Sequence, residues 1–337
     1  MSKARQLADL GNQVDDGAIT GSNLIINGAM QVAQRGTSVT GIAGGGYFAL
    51  DRMKTQVSSG QSGTHTVSQS TDAPTGFYNS YKIECTTAQA NPNQLRLMQA
   101  VEGYNVAHLG YNTATAKTLT LSFWVKSNLT GAYAISLETT TGGRYLNTSY
   151  TINAANTWEY KTIKIVGDTA SPLDPANQIG LFVSLWLTAS SALSNAGTPD
   201  AWISNGSYSS IADGHGVNMA SSTSNYWQIT GVCLNVGDSA IAFPHESYGE
   251  TLAKCQRYYY EPDMELYGAS YDASNGMLLI DFPAAMRATP TVGYTSRRPA
   301  TSYDFSSYNG AARAQLYFVG GDADRPYVTG ATFDAEL

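Results

Sequence analysis

Between residues 24 and 247, apolar and polar positions alternate with the period of two that belongs to a strand, and hardly anywhere with the 3.6-residue period of a helix. In KTLTLSFWVKSN, Leu119, Leu121, Phe123 and Val125 alternate with Thr120, Ser122 and Trp124. One face of such a strand enters a core, and Trp124 falls on the other face. AYAISLET repeats the pattern with Tyr133, Ile135 and Leu137, whereas IGLFVSLWLT is apolar almost throughout. An unbroken apolar run of that length reads as a central strand covered on both faces.

Two runs break the alternation. WEYKTIKIVG places Trp158 and Tyr160 in one phase and Ile163 and Ile165 in the other, which predicts a bend or bulge midway. YWQITGVCLNVG carries Trp227, Ile229 and Val232 out of strict register, with Gly231 where a bulge would sit. Between these runs lies a long polar stretch, 189–225, of the kind that in a compact domain is usually functional or mobile.

Helical signals are confined to two short segments. In SKARQLADL, Ala4, Leu7 and Leu10 share one face before Gly11-Asn12 ends the pattern, and so short a helix needs a partner in water. In YGETLAKCQRYYYE, Leu252, Cys255 and Tyr259 share a face, and Glu250 opposes the partial positive charge of the helix start. After Pro262 the strands MLLIDF, QLYFVGG and YVTGATFDA are separated by turn residues. The pattern predicts an all-β protein: a sandwich or barrel over 24–247, a helical connector over 248–262 and a small C-terminal β-sandwich domain over 263–337. Residues 1–23 are predicted to form a peg for oligomerisation or docking. Its apolar Leu7 and Leu10, with Leu24, Ile25 and Ile26, have no core of their own and are expected to find one in neighbouring chains.

Composition narrows the function classes. Only 13% of the 337 residues are charged, and 19 Lys and Arg against 26 Asp and Glu give a net charge of −7. With no basic run to collect phosphates, nucleic acid and anionic membrane are poor partners. No apolar stretch is long enough for a membrane span, and MSKARQLADLG lacks a signal-peptide core, so synthesis in a cytoplasm without membrane insertion is expected. The three cysteines, Cys85, Cys233 and Cys255, are widely spaced in apolar surroundings and read as buried free thiols. The sequons at Asn128, Asn147 and Asn205 read as chance matches.

The chemistry that remains visible is aromatic. With 22 Tyr and 5 Trp, the chain can stack the apolar faces of sugar rings while Asp, Asn and Gln take their hydroxyls. Trp202, Tyr208 and Asp213 bring both halves of a glycan site into the long loop, with Asp200 and Asn205 beside them. Tyr303, Phe305 and Tyr308 form a second aromatic and polar loop near Arg297, Arg298 and Arg313. The run Tyr258-Tyr259-Tyr260 cannot make one platform, because consecutive helical residues point in different directions, and it reads as packing. His65, His108, His215 and His245 are isolated; Asp213-Gly214-His215 has no recognised metal spacing and reads as a solvated loop. No cofactor is expected, and structural calcium, though compatible with such modules, has no D-x-[DN]-x-[DN]-G loop to hold it. No local catalytic motif occurs. A glycan depolymerase would need paired carboxylates in a groove, for which Glu138 and Glu159 facing each other across strands are the candidates.

Three blocks, GSNLIINGAMQVAQRGTS, LTLSFWVKSNLTGAYAISL and YWQITGVCLNVGDSAIAFPHESYGETLAKCQRYY, resemble the tail-fibre-type jelly-roll proteins of bacteriophages over residues 21–260. FPAAMRATPTV and TFDAEL are similar to the small C-terminal β domain of many of those proteins. The chain departs from the family strand at Cys233 and Asn235, where Gln and Glu are common. The resemblance implies that residues 24–247 form a central jelly-roll β-sandwich and that the cytoplasm of synthesis is a bacterial one. It further implies a homotrimeric virion component, on the tail or particle surface, that docks to another virion protein through its N-terminal segment and binds host cell-surface glycan without catalysis. A capsid or tail decoration protein that binds no receptor is the competing reading.

Overall fold

A computed structural model describes residues 22–58, 63–141, 143–174, 176–195, 197–204, 208–270, 275–298, 303–304, 310–319 and 327–337. Leu7 and Leu10 of the expected peg lie outside these residues. The chain divides into two compact units, Met1–Glu246 and Ser247–Leu337.

The first unit holds strands β1 (Ser38–Ile42), β2 (Gly46–Tyr47), β3 (Lys54–Val57), β4 (Thr64–Ser70), β5 (Ser80–Thr87), β6 (Gln94–Glu102), β7 (Leu119–Ser127), β8 (Gly131–Thr139), β9 (Arg144–Ile152), β10 (Glu159–Ile165), β11 (Ile179–Ala189), β12 (Trp202–Ser204) and β13 (Tyr226–Val236). They form a six-stranded sheet in the order β1-β4-β5-β13-β7-β10 and a seven-stranded sheet in the order β12-β9-β8-β11-β6-β3-β2. This is the all-β sandwich expected from the alternation. The apolar run of β11 lies where its composition required, at the centre of the larger sheet between β8 and β6.

The core forms between the sheets. Phe123 and Trp227 of the six-stranded sheet meet Tyr150 of the other, Phe123 edge-on at 5.1 Å between ring centres and Trp227 through Nε1–H donated to the Tyr150 hydroxyl at 3.1 Å. Tyr133 stacks on Tyr150 at 5.3 Å, and the buried hydroxyls of Thr55 and Tyr81 bond each other at 2.7 Å. Aromatic pairing supplies apolar area, and the polar tips find partners inside, which removes the cost of burying them.

Leu24 and Ile25, expected to seek a neighbouring chain, are 8% and 4% exposed within this core. Amide side chains hold their segment in place. Asn23 Oδ1 accepts from the backbone N–H of Ile25 and Leu234, and its Nδ2 donates to Val232 O. Buried Gln99 both accepts from Ile26 N–H and donates to Ile26 O. Asn27 donates to the carbonyls of Val32 and Asp51 and accepts from the N–H groups of Gln31 and Val32. Thus 23–32 belongs to the sandwich, and Leu24 and Ile25 are not a docking surface, while Ile26 is half-buried.

The predicted bulge in β13 is present: its register against β7 shifts between Thr230 and Cys233, and Gly231 has φ +62°. Of the bend or bulge expected in β10, the bulge is absent, since β10 pairs with β7 without interruption from Glu159 to Ile165. Its apolar residues change phase because Trp158 and Tyr160 face outward while Ile163 and Ile165 enter the core.

The second unit begins with α2 (Tyr248–Gln256), which follows a single helical turn, α1 (Gly103–Val106), in chain order. Ser247 accepts from Glu250 N–H while the Glu250 carboxylate accepts from Ser247 N–H, a reciprocal cap. Next come β14 (Tyr259–Tyr260), β15 (Leu266–Tyr267), β16 (Ala269–Ser270), β17 (Asn275–Asp281), β18 (Thr291–Gly293), β19 (Ser296–Arg298), β20 (Tyr303–Asp304), β21 (Arg313–Val319), β22 (Tyr327–Thr329) and β23 (Thr332–Asp334). They make three small antiparallel sheets over a core that includes Leu278, Ile280, Met286, Val328 and Phe333. The segment expected as a connector is part of this unit: β14 pairs with β23, and Tyr260 stacks on Phe333 at 6.1 Å. YVTGATFDA is two strands, split at Gly330, whose φ is +55° and whose added Cβ would lie 2.3 Å from Thr295 Oγ1.

At the β13 bulge, a Cβ on Gly231 would meet Phe77 Cζ at 2.6 Å in addition to the positive φ. Gly231→Ala is therefore expected to lower unfolding stability by about 1–3 kcal/mol, measured by urea denaturation. An unchanged midpoint would show that the bulge relaxes freely.

Candidate functional site

The long loop was the first sequence candidate, and it packs against the molecule. β12 pairs with β9, carrying Trp202 opposite Leu146. Trp202 donates Nε1–H to Val166 O at 2.7 Å and meets Tyr111 edge-on at 5.7 Å. Tyr208 stacks on Tyr145 at 6.0 Å, and the Tyr145 hydroxyl bonds Ser210. Asp213 receives the N–H of Gly197 and of Gly214. Leu193, Ile203, Ile211 and Ala212 then cover the outer face of the seven-stranded sheet at Trp186. Tyr208 remains 44% exposed, but Trp202 and Asp213 are engaged in closing the loop. Asn147, a sequon residue, is buried here and donates to Asp213 O.

His215 is not the solvated residue expected of that loop. Its Nδ1 accepts from Ala134 N–H at 3.2 Å, and its ring lies edge-on to Tyr133 at 5.9 Å. Burial pushes the imidazole down to about 4, against the weaker opposing pull of the Leu187 and Val217 backbone.

Of the second candidate loop, Tyr303 lies in β20 opposite Phe318 of β21, and Phe305 and Tyr308 lie outside the described residues. Glu138 and Glu159 do not face each other. Glu138 belongs to the seven-stranded sheet, paired with Arg96 at 2.7 Å, and Glu159 to the other, paired with Lys161 at 2.6 Å. All three cysteines are buried thiols outside any disulfide. Among the described residues no three His, Cys, Asp or Glu side chains gather as metal ligands, and no helix is long and apolar enough to cross a membrane.

A different face collects aromatic and polar groups. Strand periodicity that sends Phe123 and Val125 inward sends Trp124 and Lys126 outward. Across the β7–β10 pair Trp124 is opposite Tyr160, with ring centres 5.3 Å apart, and Tyr160 is 46% exposed. Trp158, just before β10, places its ring 5.8 Å from Lys126 Nζ. On β13, Tyr226 lies under Lys82 Nζ at 5.5 Å and donates its hydroxyl to Asn156 Oδ1 at 2.7 Å. These rings lie on the solvent side of the six-stranded sheet, with Ser and Thr hydroxyls of β1 and β4 beyond them.

Asp72 organises this face. Its Oδ1 accepts Trp158 Nε1–H at 3.2 Å and its Oδ2 accepts Lys126 Nζ at 2.7 Å. Slight burial works to raise the carboxyl, but the Lys126 ammonium and the Trp158 indole outweigh it and hold the carboxyl below its ordinary value. It is ionised at neutral pH, fixing the tilt of one ring and the position of one cation. The arrangement offers apolar ring faces edged by a carboxylate, ammonium groups and amides, which suits a ligand that is apolar on its faces and polar at its rim. Trp124 was legible as the aromatic on the polar phase of β7, and Trp158 and Tyr160 as the phase switch of β10. Asp72 was not, since it reaches Trp158 from 86 residues away.

No family model matches the chain, and no curated protein is significantly similar in sequence. Among solved structures, it is similar to a protein of Bacteroides thetaiotaomicron VPI-5482 described by a proposed sugar-binding role, at 11% identity and TM-score 0.35, over 64% of this chain and 100% of that one. It is also similar to TmCBM61, solved with β-1,4-galactotriose, at 10% identity and TM-score 0.27, over 64% and 99% of the two chains. A third is the tandem CBM22-1–CBM22-2 domain of Paenibacillus barcinonensis Xyn10C, at 8% identity and TM-score 0.29, over 94% and 96%. At these TM-scores the class, an all-β sandwich, rests on the sheets of this chain itself.

Because His215 is neutral in the fold and protonates in the unfolded chain, the unfolded state binds more protons between about pH 6.5 and 4. Its stabilising contribution is complete above that window and is lost as pH falls through it, on the order of 1–3 kcal/mol. Urea midpoints should fall over this window, and less steeply in His215→Gln; identical profiles would contradict the buried imidazole.

Proposed function

We propose that this chain is a non-catalytic glycan-binding protein of a bacteriophage virion, binding host cell-surface glycan through the outer face of its six-stranded sheet. The observation that carries the binding role is the group of Trp124, Tyr160, Trp158 and Tyr226 on a solvent-facing sheet, held by Asp72, Lys126 and Lys82. Outward aromatics on a strand add nothing to the sandwich core, and here they lie together, where they can stack on sugar rings. Attachment to a host is supported by the sequence resemblance of residues 21–260 to tail-fibre-type proteins. That resemblance also supports a homotrimer docked to another virion protein through the N-terminal segment.

In this reading a sugar ring lies against Trp124 and Tyr160, with its hydroxyls toward Asp72, Lys126 and Asn156. Binding requires no bond to be made or broken, and Glu138 and Glu159, the candidate carboxylates of a depolymerase, lie on different sheets.

Glycan arrays and whole-cell adsorption with the purified protein identify a ligand, after which calorimetry compares variants. Trp124→Ala with Tyr160→Ala should weaken binding about 5- to 140-fold, from roughly 0.5–1.5 kcal/mol for each ring. Unfolding stability should change little, and Trp202→Ala should keep full affinity. Loss of binding in Trp202→Ala alone would return the site to the long loop. A folded protein that binds no glycan or cell would favour a structural particle component.

A further inference from the structure

The same face carries a second property, its charge arrangement, and the inference from it rests on the glycan-binding reading. The strands of the six-stranded sheet contain no arginine and four lysines, of which Lys82, Lys126 and Lys164 have the outward phase, while Lys161, opposite Phe123, has the inward one. Each lysine has a carboxylate partner: Lys82 with Glu84 at 2.7 Å, Lys126 with Asp72 at 2.7 Å, Lys161 with Glu159 at 2.6 Å and Lys164 with Asp238 at 3.5 Å.

Two of these pairs flank the aromatic group. Lys82 on β5 and Lys126 on β7 both pair across to Gln228 of β13, one strand to either side. Their backbones are therefore two strand spacings apart, roughly 10 Å. Gln228 is buried, with its amide nitrogen on Ser70 and Ser80, so it adds no charge between them. Two ammonium groups in one row beside the half-buried rings of Tyr226 and Trp158 would attract an acidic sugar polymer, were each not answered by a carboxylate from its own neighbourhood.

We infer that Asp72 and Glu84 are specificity-determining residues, which neutralise Lys126 and Lys82 so that the face takes uncharged glycan chains and rejects acidic ones. An acidic chain would have to displace both carboxylates or lie against them, and like charges brought together at short range are penalised. An uncharged chain meets no such barrier and can use the carboxylates as hydroxyl acceptors. Asp72→Asn keeps an oxygen for the Trp158 indole while removing the charge, so it separates ring positioning from neutralisation.

The experiment compares wild type, Glu84→Gln and Asp72→Asn/Glu84→Gln for binding to a panel of neutral polysaccharides and polyuronates at 50 and 500 mM NaCl, with thermal melts as a folding control. Wild type should bind a neutral chain with less than a twofold change between the salt concentrations, and polyuronates at least tenfold more weakly. The double variant should gain at least tenfold for polyuronate at low salt and lose that gain at high salt, with Glu84→Gln in between. Wild type that prefers polyuronate, or a folded double variant that gains no acidic binding, overturns the assignment. Wild type that binds neither a neutral chain nor a polyuronate overturns the glycan-binding reading itself, a result distinct from the other two.

Discussion

A β-strand turns successive side chains to opposite faces, and this alternation is the constraint from which the rest of the first unit follows. Once Leu121, Phe123 and Val125 are committed to the core, Ser122, Trp124 and Lys126 have no choice but the outer face. The same holds on β13, where Trp227 and Ile229 go in and Tyr226 and Gln228 go out. Core and candidate site are thus two readings of one register, and a slip of one residue would exchange them. The Gly231 bulge lets β13 satisfy that register on both sides of Thr230–Cys233.

How much of this was readable beforehand depends on whether the deciding contact is local. The sandwich, the central position of β11 and the bulge at Gly231 come from patterns within a single strand, and all were legible. The phase switch of β10 was legible too, but its cause was misassigned. A bulge and an outward aromatic pair leave the same trace in sequence, and only Trp124 across the strand pair distinguishes them. Leu24 and Ile25 looked partnerless because the groups that hold their segment lie far along the chain, at Gln99, Val232 and Leu234. Trp202 and Asp213 looked like a binding loop because a loop that closes over a sheet is as rich in aromatic and capping residues as one that binds a ligand.

The two outer faces of the sandwich have different fates. Long-loop residues Leu193, Ile211 and Ala212 cover the seven-stranded sheet at Trp186, so its aromatic side chain serves packing. The six-stranded sheet is covered in part at β13, where Thr230 bonds Asn79 O and Phe77 lies against Gly231, but Tyr160 stays 46% exposed and Trp124 half-buried beside it. The lysines gain little stability from their carboxylates at such a surface; what the pairs alter is the potential a ligand meets.

The most direct measurement is collisional quenching of tryptophan emission in the Trp202→Phe variant, with and without a saturating glycan found by array. Trp186 and Trp227 are buried, which leaves Trp124 and Trp158 as the indoles a quencher reaches. Binding on the outer face of the six-stranded sheet predicts that glycan protects this emission from the quencher. Unchanged quenching at saturation would place the ligand elsewhere and contradict the account.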